Sequence, residues 1–294
     1  MAGRVLVVGD VMTDLIVMPD GPLVRGSDRR ATIRPRHGGS AANQAVWLAH
    51  LGTDVRFAAR MGAADIAAET AYFRAKGVDA FFAADPELPS GILICIVDPD
   101  GERSFLSDRG ANLNLCPADL PESLLNGVDV LLISGYSFFT PRPRAAVMGL
   151  LAEAKQRGIS TFVDPASVGF LREVGPEEFL SWTAGVGTIL ANLDEALELS
   201  GAIDLNGQMK VLGRTFDRVV IKRGTQGAAV GTRDGVLYSL PAPAVPVIDT
   251  TGAGDAFAAG FITAERAGAS LEASLRAGIA AGTDAVGQIG AQPA

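Results

Sequence analysis

The chain has 294 residues, 48% of them apolar and 20% charged, with a formal net charge of −8. That length suits one large α/β domain or two smaller ones, and the acidic balance argues against nucleic acid as the main partner, since tracking phosphates needs a basic excess. No stretch approaches the roughly 18 apolar residues of a membrane span, no secretory h-region stands at the start, and Cys95 and Cys116 lack disulfide-framework or metal-type spacing, so a cytoplasmic protein with no membrane partner is expected.

Short, continuously apolar runs at 5–8, 55–58, 128–133, 161–163, 188–190 and 218–221 predict buried parallel strands. Helical patterns at 41–51, 66–76, 143–156, 194–200 and 253–267 alternate with them. This alternation predicts an α/β fold with a doubly wound, mostly parallel sheet flanked by helices, and ligands at the carboxyl edge of the strands. Two segments break the rhythm. The runs 15–17 with 31–34, and 92–97 with 103–106, read as strands pairing outside the main sheet, the second pair joined by an Asp98-Pro99-Asp100-Gly101 turn. They predict a small β-lid from segments at about 12–36 and 90–110, or alternatively two surface hairpins with no closing role. No composition shift marks a second domain, so 1–294 is read as one.

Familiar phosphate motifs are missing. Val11, Met12 and Thr13 occupy places where a dinucleotide-binding turn needs glycine. No G-x-x-x-x-G-K-[ST] loop and no protein-kinase signature occurs. The remaining candidate is Asp249-Thr250-Thr251-Gly252-Ala253-Gly254-Asp255, which runs into the apolar helix Ala256-Phe257-Ala258-Ala259-Gly260-Phe261. Gly252, Ala253 and Gly254 at a helix N-terminus form an anion hole, and Asp255 in the first turn is placed to accept a proton from an attacking hydroxyl. The string also reads as a Gly-rich N-cap with Asp in its dipole-favoured place.

Together with Gly38-Gly39-Ser40-Ala41-Ala42-Asn43-Gln44-Ala45 upstream, this string resembles the two signatures of the ribokinase-like (PfkB) carbohydrate kinases, and further matches extend the resemblance over nearly the whole chain. It implies the ribokinase-like fold with its β-lid. The implied activity is ATP-dependent phosphorylation of a primary hydroxyl of a small sugar or sugar derivative, with a nucleoside kinase of the same superfamily as the alternative and a non-catalytic sugar-binding regulator as a third. ATP, Mg²⁺ and possibly K⁺ are the implied cofactors, and a homodimer the expected assembly.

Within that frame each candidate has a plainer reading beside it. Asp14, just past the first strand, would accept hydrogen bonds from sugar hydroxyls, or cap a loop turn; Asp10 is read as a turn residue. Gly38 and Gly39 would let the chain approach a ligand closely and Asn43 would face a polyol, or Gly-Gly-Ser is an ordinary helix entry with Ser40 as N-cap. Ribokinases proper carry Lys at Ser40 and Asn at Met12, which argues against free ribose. Arg109 at the lid base would fork onto a substrate anion, or stand as a solvated edge charge; kinases of 2-keto-3-deoxygluconate use an Arg in this region. Asn192 and Glu195 resemble the N-x-x-E motif, in which the Glu orders Mg²⁺ through water, and equally spell a capping box. Lys222, Arg223, Gly224 and Gly227 form a loop that would line the nucleotide cleft, or a plain hairpin turn. Asp249 and Thr251, with the Gly290-Ala291-Gln292-Pro293 tail, resemble a monovalent-cation site. His37 and His50 are read as packing or surface residues. Asp255 is taken as an ordinary aspartate, with a pKa near roughly 4.

Overall fold

The computed structural model describes residues 3–97 and 103–294, so the expected turn at 98–101 lies outside the described residues. Strand β1 (Arg4–Val8) leads into the hairpin β2 (Met12–Pro19) and β3 (Ala31–Gly38), then α1 (Ser40–His50), β4 (Val55–Gly62), α2 (Ile66–Ala75) and β5 (Val78–Asp85). A second hairpin, β6 (Gly91–Val97) and β7 (Arg103–Asp108), precedes β8 (Val128–Ser134), α3 (Pro141–Gln156), β9 (Ser160–Asp164), α4 (Val168–Val174) and α5 (Pro176–Trp182). The remainder is β10 (Thr188–Asn192), α6 (Leu193–Ser200), α7 (Leu205–Leu212), β11 (Arg218–Lys222), β12 (Ala228–Thr232), β13 (Gly235–Leu240), α8 (Ala253–Arg266) and α9 (Leu271–Val286).

Nine strands form the main sheet in the order β13-β12-β11-β10-β9-β8-β1-β4-β5. The pairs from β11 through to β5 are parallel, and β12 and β13 are added antiparallel at one edge. Strand β1 explains why its sequence is apolar throughout. Val5 and Val7 enter a core shared with Trp47 of α1, Phe73 of α2, Phe257 and Phe261 of α8 and Leu275 of α9. Leu6 and Val8 enter the opposite core with Val147 of α3, Phe179 of α5, Leu199 of α6 and Met209 of α7. Successive side chains of a strand point to opposite faces, so helices on both faces demand a run with no polar positions.

The two hairpins join into one four-stranded sheet, β3-β2-β6-β7, by parallel pairing of β2 with β6. This single sheet is the small β-lid that sequence analysis expects from the two segments; the pairing that joins them links residues about 80 positions apart, Ile16 against Cys95 for example. Strands β5, β12 and β13 were not anticipated. They lie toward the sheet edges, where β5 and β13 keep polar or exposed positions and lose the uniformly apolar signature. Helices α4, α5, α7 and α9 were missed too; α4 and α5 are short, and α9 is rich in Ala and Gly.

Small residues let α8 and α9 approach closely. A Cβ added to Gly260 would lie 2.6 Å from the Ala277 carbonyl oxygen and 2.8 Å from the Ala281 Cβ. Neither neighbour is a flexible side-chain end. Gly260→Ala should therefore destabilise the fold by about 1–3 kcal/mol, as overpacked cores do, seen as a lower midpoint in urea denaturation; an unchanged midpoint would show that the two helices part without cost.

Candidate active site

The site is assembled where α1 and α8 begin, at the carboxyl edge of the main sheet. Gly252 turns the chain into α8 with φ of 77°, a left-handed conformation that favours glycine. A Cβ there would also lie 2.3 Å from the Ala291 carbonyl oxygen. Ala253 and Gly254 open the helix and Asp255 stands in its first turn. The first N–H groups of a helix have no intrahelical acceptor, and the dipole adds positive potential at that point.

Asp255 is held by α1. Its Oδ1 accepts from Ser40 Oγ at 2.8 Å and from Gln44 Nε2 at 3.1 Å, and its Oδ2 accepts from Asn43 Nδ2 at 3.1 Å. Burial, followed by the nearby Asp164 charge, lifts the Asp255 carboxyl to about 7 against the pull of those donors and Lys222. The ordinary pKa expected from sequence is thus corrected. Ser40 is also corrected: its side chain caps nothing and instead grips Asp255. Asn43, expected to face a polyol, has its other end engaged as well, because Oδ1 accepts from Gln292 Nε2 at 3.0 Å.

Asp10 is no mere turn residue. It is 2% exposed and takes hydrogen bonds from the Ser40 and Ala41 N–H groups and from Ser134 Oγ, anchoring the start of α1 from a distance of 30 positions. A Cβ on Gly39 would meet the Asp10 carbonyl oxygen at 2.7 Å, and one on Gly38 would overlap the Asp14 carboxylate at 2.2 Å. The missing side chains here leave room for the protein's own Asp10 backbone and Asp14 carboxylate. Asp14, on lid strand β2, is buried with Oδ1 unpartnered. Burial, then the Asp10 charge, pushes its pKa up to about 7.

Behind Asp255 lies a second charged group. Lys222 Nζ donates to Asp164 Oδ2 at 2.7 Å, and a Cβ on Gly254 would lie 3.4 Å from that ammonium. Burial pulls the Lys222 pKa down, but Asp164 and Glu195 outweigh it and the net shift is upward. Glu195 completes the expected capping box: Asn192 Oδ1 accepts from the Glu195 N–H, and Glu195 Oε2 accepts from the Asn192 N–H. Its carboxyl is raised by burial first and then by Asp164. Gly224 faces open space, whereas a Cβ on Gly227 would run into the Leu240 carbonyl oxygen, so hairpin packing by itself requires glycine there. Arg223 turns away, bonding Ser239 and Gln226.

Arg109 is not a solvated edge charge. It stacks 4.3 Å over the Tyr136 ring and approaches Asp10 at 4.0 Å. Asp249 ties its own turn to the tail, its carboxylate accepting from the Thr251 and Gly290 N–H groups. His37 stacks on Tyr72 at 3.5 Å and lies 3.1 Å from Glu69, and His50 packs edge-on to Trp47. The residues that sequence reasoning missed, Asp10, Ser40, Gln44, Asp164 and Gln292, all act across long sequence separations. Gln44 carried one usable signal: it lies four residues after Ser40 and so on the same helix face.

A model of the pfkB family carbohydrate kinases matches residues 2–294. The chain belongs to this family. An ATP-dependent ribose-1-phosphate kinase of Halopiger xanaduensis is 30% identical to this pfkB-family kinase, over 99% of the chain and 94% of the relative. An aminoimidazole riboside kinase of Salmonella typhimurium is 32% identical, over 88% and 80%. An adenosine kinase from Sinorhizobium meliloti superposes with a TM-score of 0.90 at 26% identity, covering 100% of this chain and 96% of that one. A putative ribokinase II from E. coli, solved in complex with ATP and Mg²⁺, shares the fold at a TM-score of 0.86 and 21% identity, covering 98% and 94%. The ribokinase-like fold with its lid sheet is thereby established, and the protein is a sugar or nucleoside kinase of the pfkB family. Among the described residues no helix is long and apolar enough to cross a membrane.

The buried carboxyls carry a pH signature. An aspartate whose folded pKa is raised contributes stability that is full below its unfolded value, near 4, and is lost as pH rises through the folded value. For Asp14 that window ends at about 7. Urea denaturation of the ligand-free protein should show a smaller loss of stability between roughly pH 4.5 and pH 7.5 in Asp14→Asn than in the wild type. Equal losses would mean that Asp14 ionises as it does in water.

Proposed function

We propose that the protein transfers the γ-phosphoryl group of ATP to a primary hydroxyl of a ribose derivative substituted at C1, a sugar phosphate or a nucleoside, with Asp255 as general base. The observation that carries this reading is the Asp255 carboxylate at the mouth of α8, clamped by three donors from α1 and backed by the Lys222–Asp164 pair. Three relatives are named for ribose 1-phosphate, an aminoimidazole riboside and adenosine, each a ribose joined to a group at C1. Ser40, where ribokinases proper carry Lys, spends its hydroxyl on Asp255, which supports a substituted riboside over free ribose.

The roles of the residues follow from their places. Asp14, with one buried oxygen unpartnered, accepts from sugar hydroxyls and orients the ring, while Gly38 makes room for that carboxylate. Arg109, stacked on Tyr136, bounds the substrate side. The N–H groups of Gly252, Ala253 and Gly254 face the phosphoryl group and stabilise the charge spread over its oxygens. Lys222 adds a cation next to that turn, and Asn192 with the Gly224 loop borders the nucleotide. Asp255 takes the hydroxyl proton as the oxygen bonds to phosphorus, and a carboxyl near neutrality matches the working pH better than an ordinary aspartate. The lid excludes water, which would otherwise compete as acceptor.

Among the described residues no group of three His, Cys, Asp or Glu gathers into a metal cage. Mg²⁺ keeps much of its hydration, so Glu195 would hold it through water and the nucleotide would supply its other oxygens. When bound it neutralises phosphate charge. Both Asp249 oxygens already accept main-chain N–H groups, so K⁺ beside Asp249 and Thr251 would rest mainly on carbonyl oxygens.

Asp255→Asn should lower kcat at least a hundredfold, within the roughly 10²–10⁴ contribution of a general base, with the KM for ATP little changed. In the wild type kcat/KM should rise with pH through about 7. ADP release with ribose, ribose 1-phosphate and nucleosides identifies the substrate; turnover retained in Asp255→Asn would place the base elsewhere, and preference for free ribose would overturn the riboside reading.

A further inference from the structure

Of the three donors on Asp255, Asn43 is itself held from the far side. Gln292, in the C-terminal tail, donates its Nε2 to Asn43 Oδ1 at 3.0 Å, and its Oε1 accepts from Tyr72 Oη at 2.5 Å. Tyr72 is fixed in turn, stacked on His37, which pairs with Glu69. The tail backbone is pinned alongside. Trp47 Nε1 donates to the Ala291 carbonyl at 2.9 Å, Lys76 Nζ to the Pro293 carbonyl at 3.2 Å, and the Gly290 N–H to Asp249.

A carboxamide has one donating and one accepting end. Because Gln292 donates to Asn43 Oδ1, Asn43 must turn Nδ2 toward Asp255; reversed, it would aim a carbonyl oxygen at a carboxylate. Tyr72, a donor to Gln292 Oε1, sets which end of Gln292 faces Asn43. We propose that Gln292 is a positioning residue for phosphoryl transfer: oriented by Tyr72, it holds Asn43 as a donor to Asp255, which makes the C-terminal tail part of the catalytic apparatus. This inference rests on the reading of Asp255 as the base. A tail anchor with no such role would use the same contacts only to fasten the chain end to α1 and α2.

Two substitutions separate these roles. Gln292→Ala removes the donor and leaves Asn43 free to reverse. Gln292→Glu keeps the size and the acceptor for Tyr72, but its carboxylate can only accept from Asn43 and so enforces the reversal. An anchor would tolerate Glu better than Ala; a positioning residue must tolerate it worse. Hydrogen bonds to charged groups set the scale: kcat should fall about tenfold in Gln292→Ala and about a hundredfold in Gln292→Glu, with the KM for ATP within about twofold. Tyr72→Phe, a milder change, should lower kcat a few-fold.

The acidic limb of kcat/KM should also move to higher pH in Gln292→Ala, because the ionised carboxylate loses a donor. Asp164, Lys222, Glu195 and Tyr136, the other ionisable groups around Asp255, are untouched by these changes. Thermal unfolding of each variant checks the fold, and Tyr72→Phe carries the test if a Gln292 variant does not fold. A Glu variant as active as the Ala variant or better, or unmoved kcat and pH limbs in the folded variants, would overturn the proposal. If Asp255→Asn is inactive while these variants behave as wild type, only the role of Gln292 fails; if Asp255→Asn turns over, the base assignment itself fails.

Discussion

The hydrogen bonds between the first turns of α1 and α8 hold this site together. Ser40 and Asp255 are 215 residues apart in the chain, yet their side chains meet because both helices follow the carboxyl edge of one sheet. The entries of two helices thus share one carboxylate. The anchoring of α1 by Asp10 serves the same end, as does the close approach of the Ala291 carbonyl that Gly252 permits at the α8 turn. Each fixes the point at which a helix starts, and therefore where its first side chains point.

The electrostatics depend on that arrangement. Asp164, Glu195 and Asp255 share one ammonium, Lys222, in a region largely withdrawn from water. Burial first, and then the Asp164 charge, oppose ionisation of Glu195 and Asp255, so these two carboxyls hold their protons more tightly than in solution. Such crowding works against the folded state near neutral pH, and groups of this kind concentrate where a protein does chemistry. The pairing of Lys222 with Asp164 keeps a cation beside the α8 mouth without leaving it unpaired in the low-dielectric interior.

Much of the fold was legible. The central strands are continuously apolar because both their faces are buried, and they appear within a few residues of their expected positions. Edge strands were not legible, because one-sided burial leaves mixed patterns in β5 and β13. In the site, the glycine-rich entry to α8, Asp255 beside it and the Asn192–Glu195 box could be read locally, since each is a statement about one helix terminus. The glycines of the upstream signature read as a close-approach point, and Gly38 makes room for Asp14 and Gly39 for the Asp10 backbone, neither of which a local reading reveals. Steric need was visible in the residue type; its source was not.

The sequence by itself therefore determined the layered α/β architecture, the family, and the glycine-rich entry to α8. These depend on periodicity and on neighbours within a few residues. The tertiary structure alone decided that Ser40, Asn43 and Gln44 converge on Asp255, that Lys222 pairs with Asp164, that β2 pairs with β6 to join the lid hairpins, and that Gln292 reaches Asn43. Those contacts join segments tens to hundreds of residues apart, and the environment that shifts each pKa exists only once the chain has brought them together.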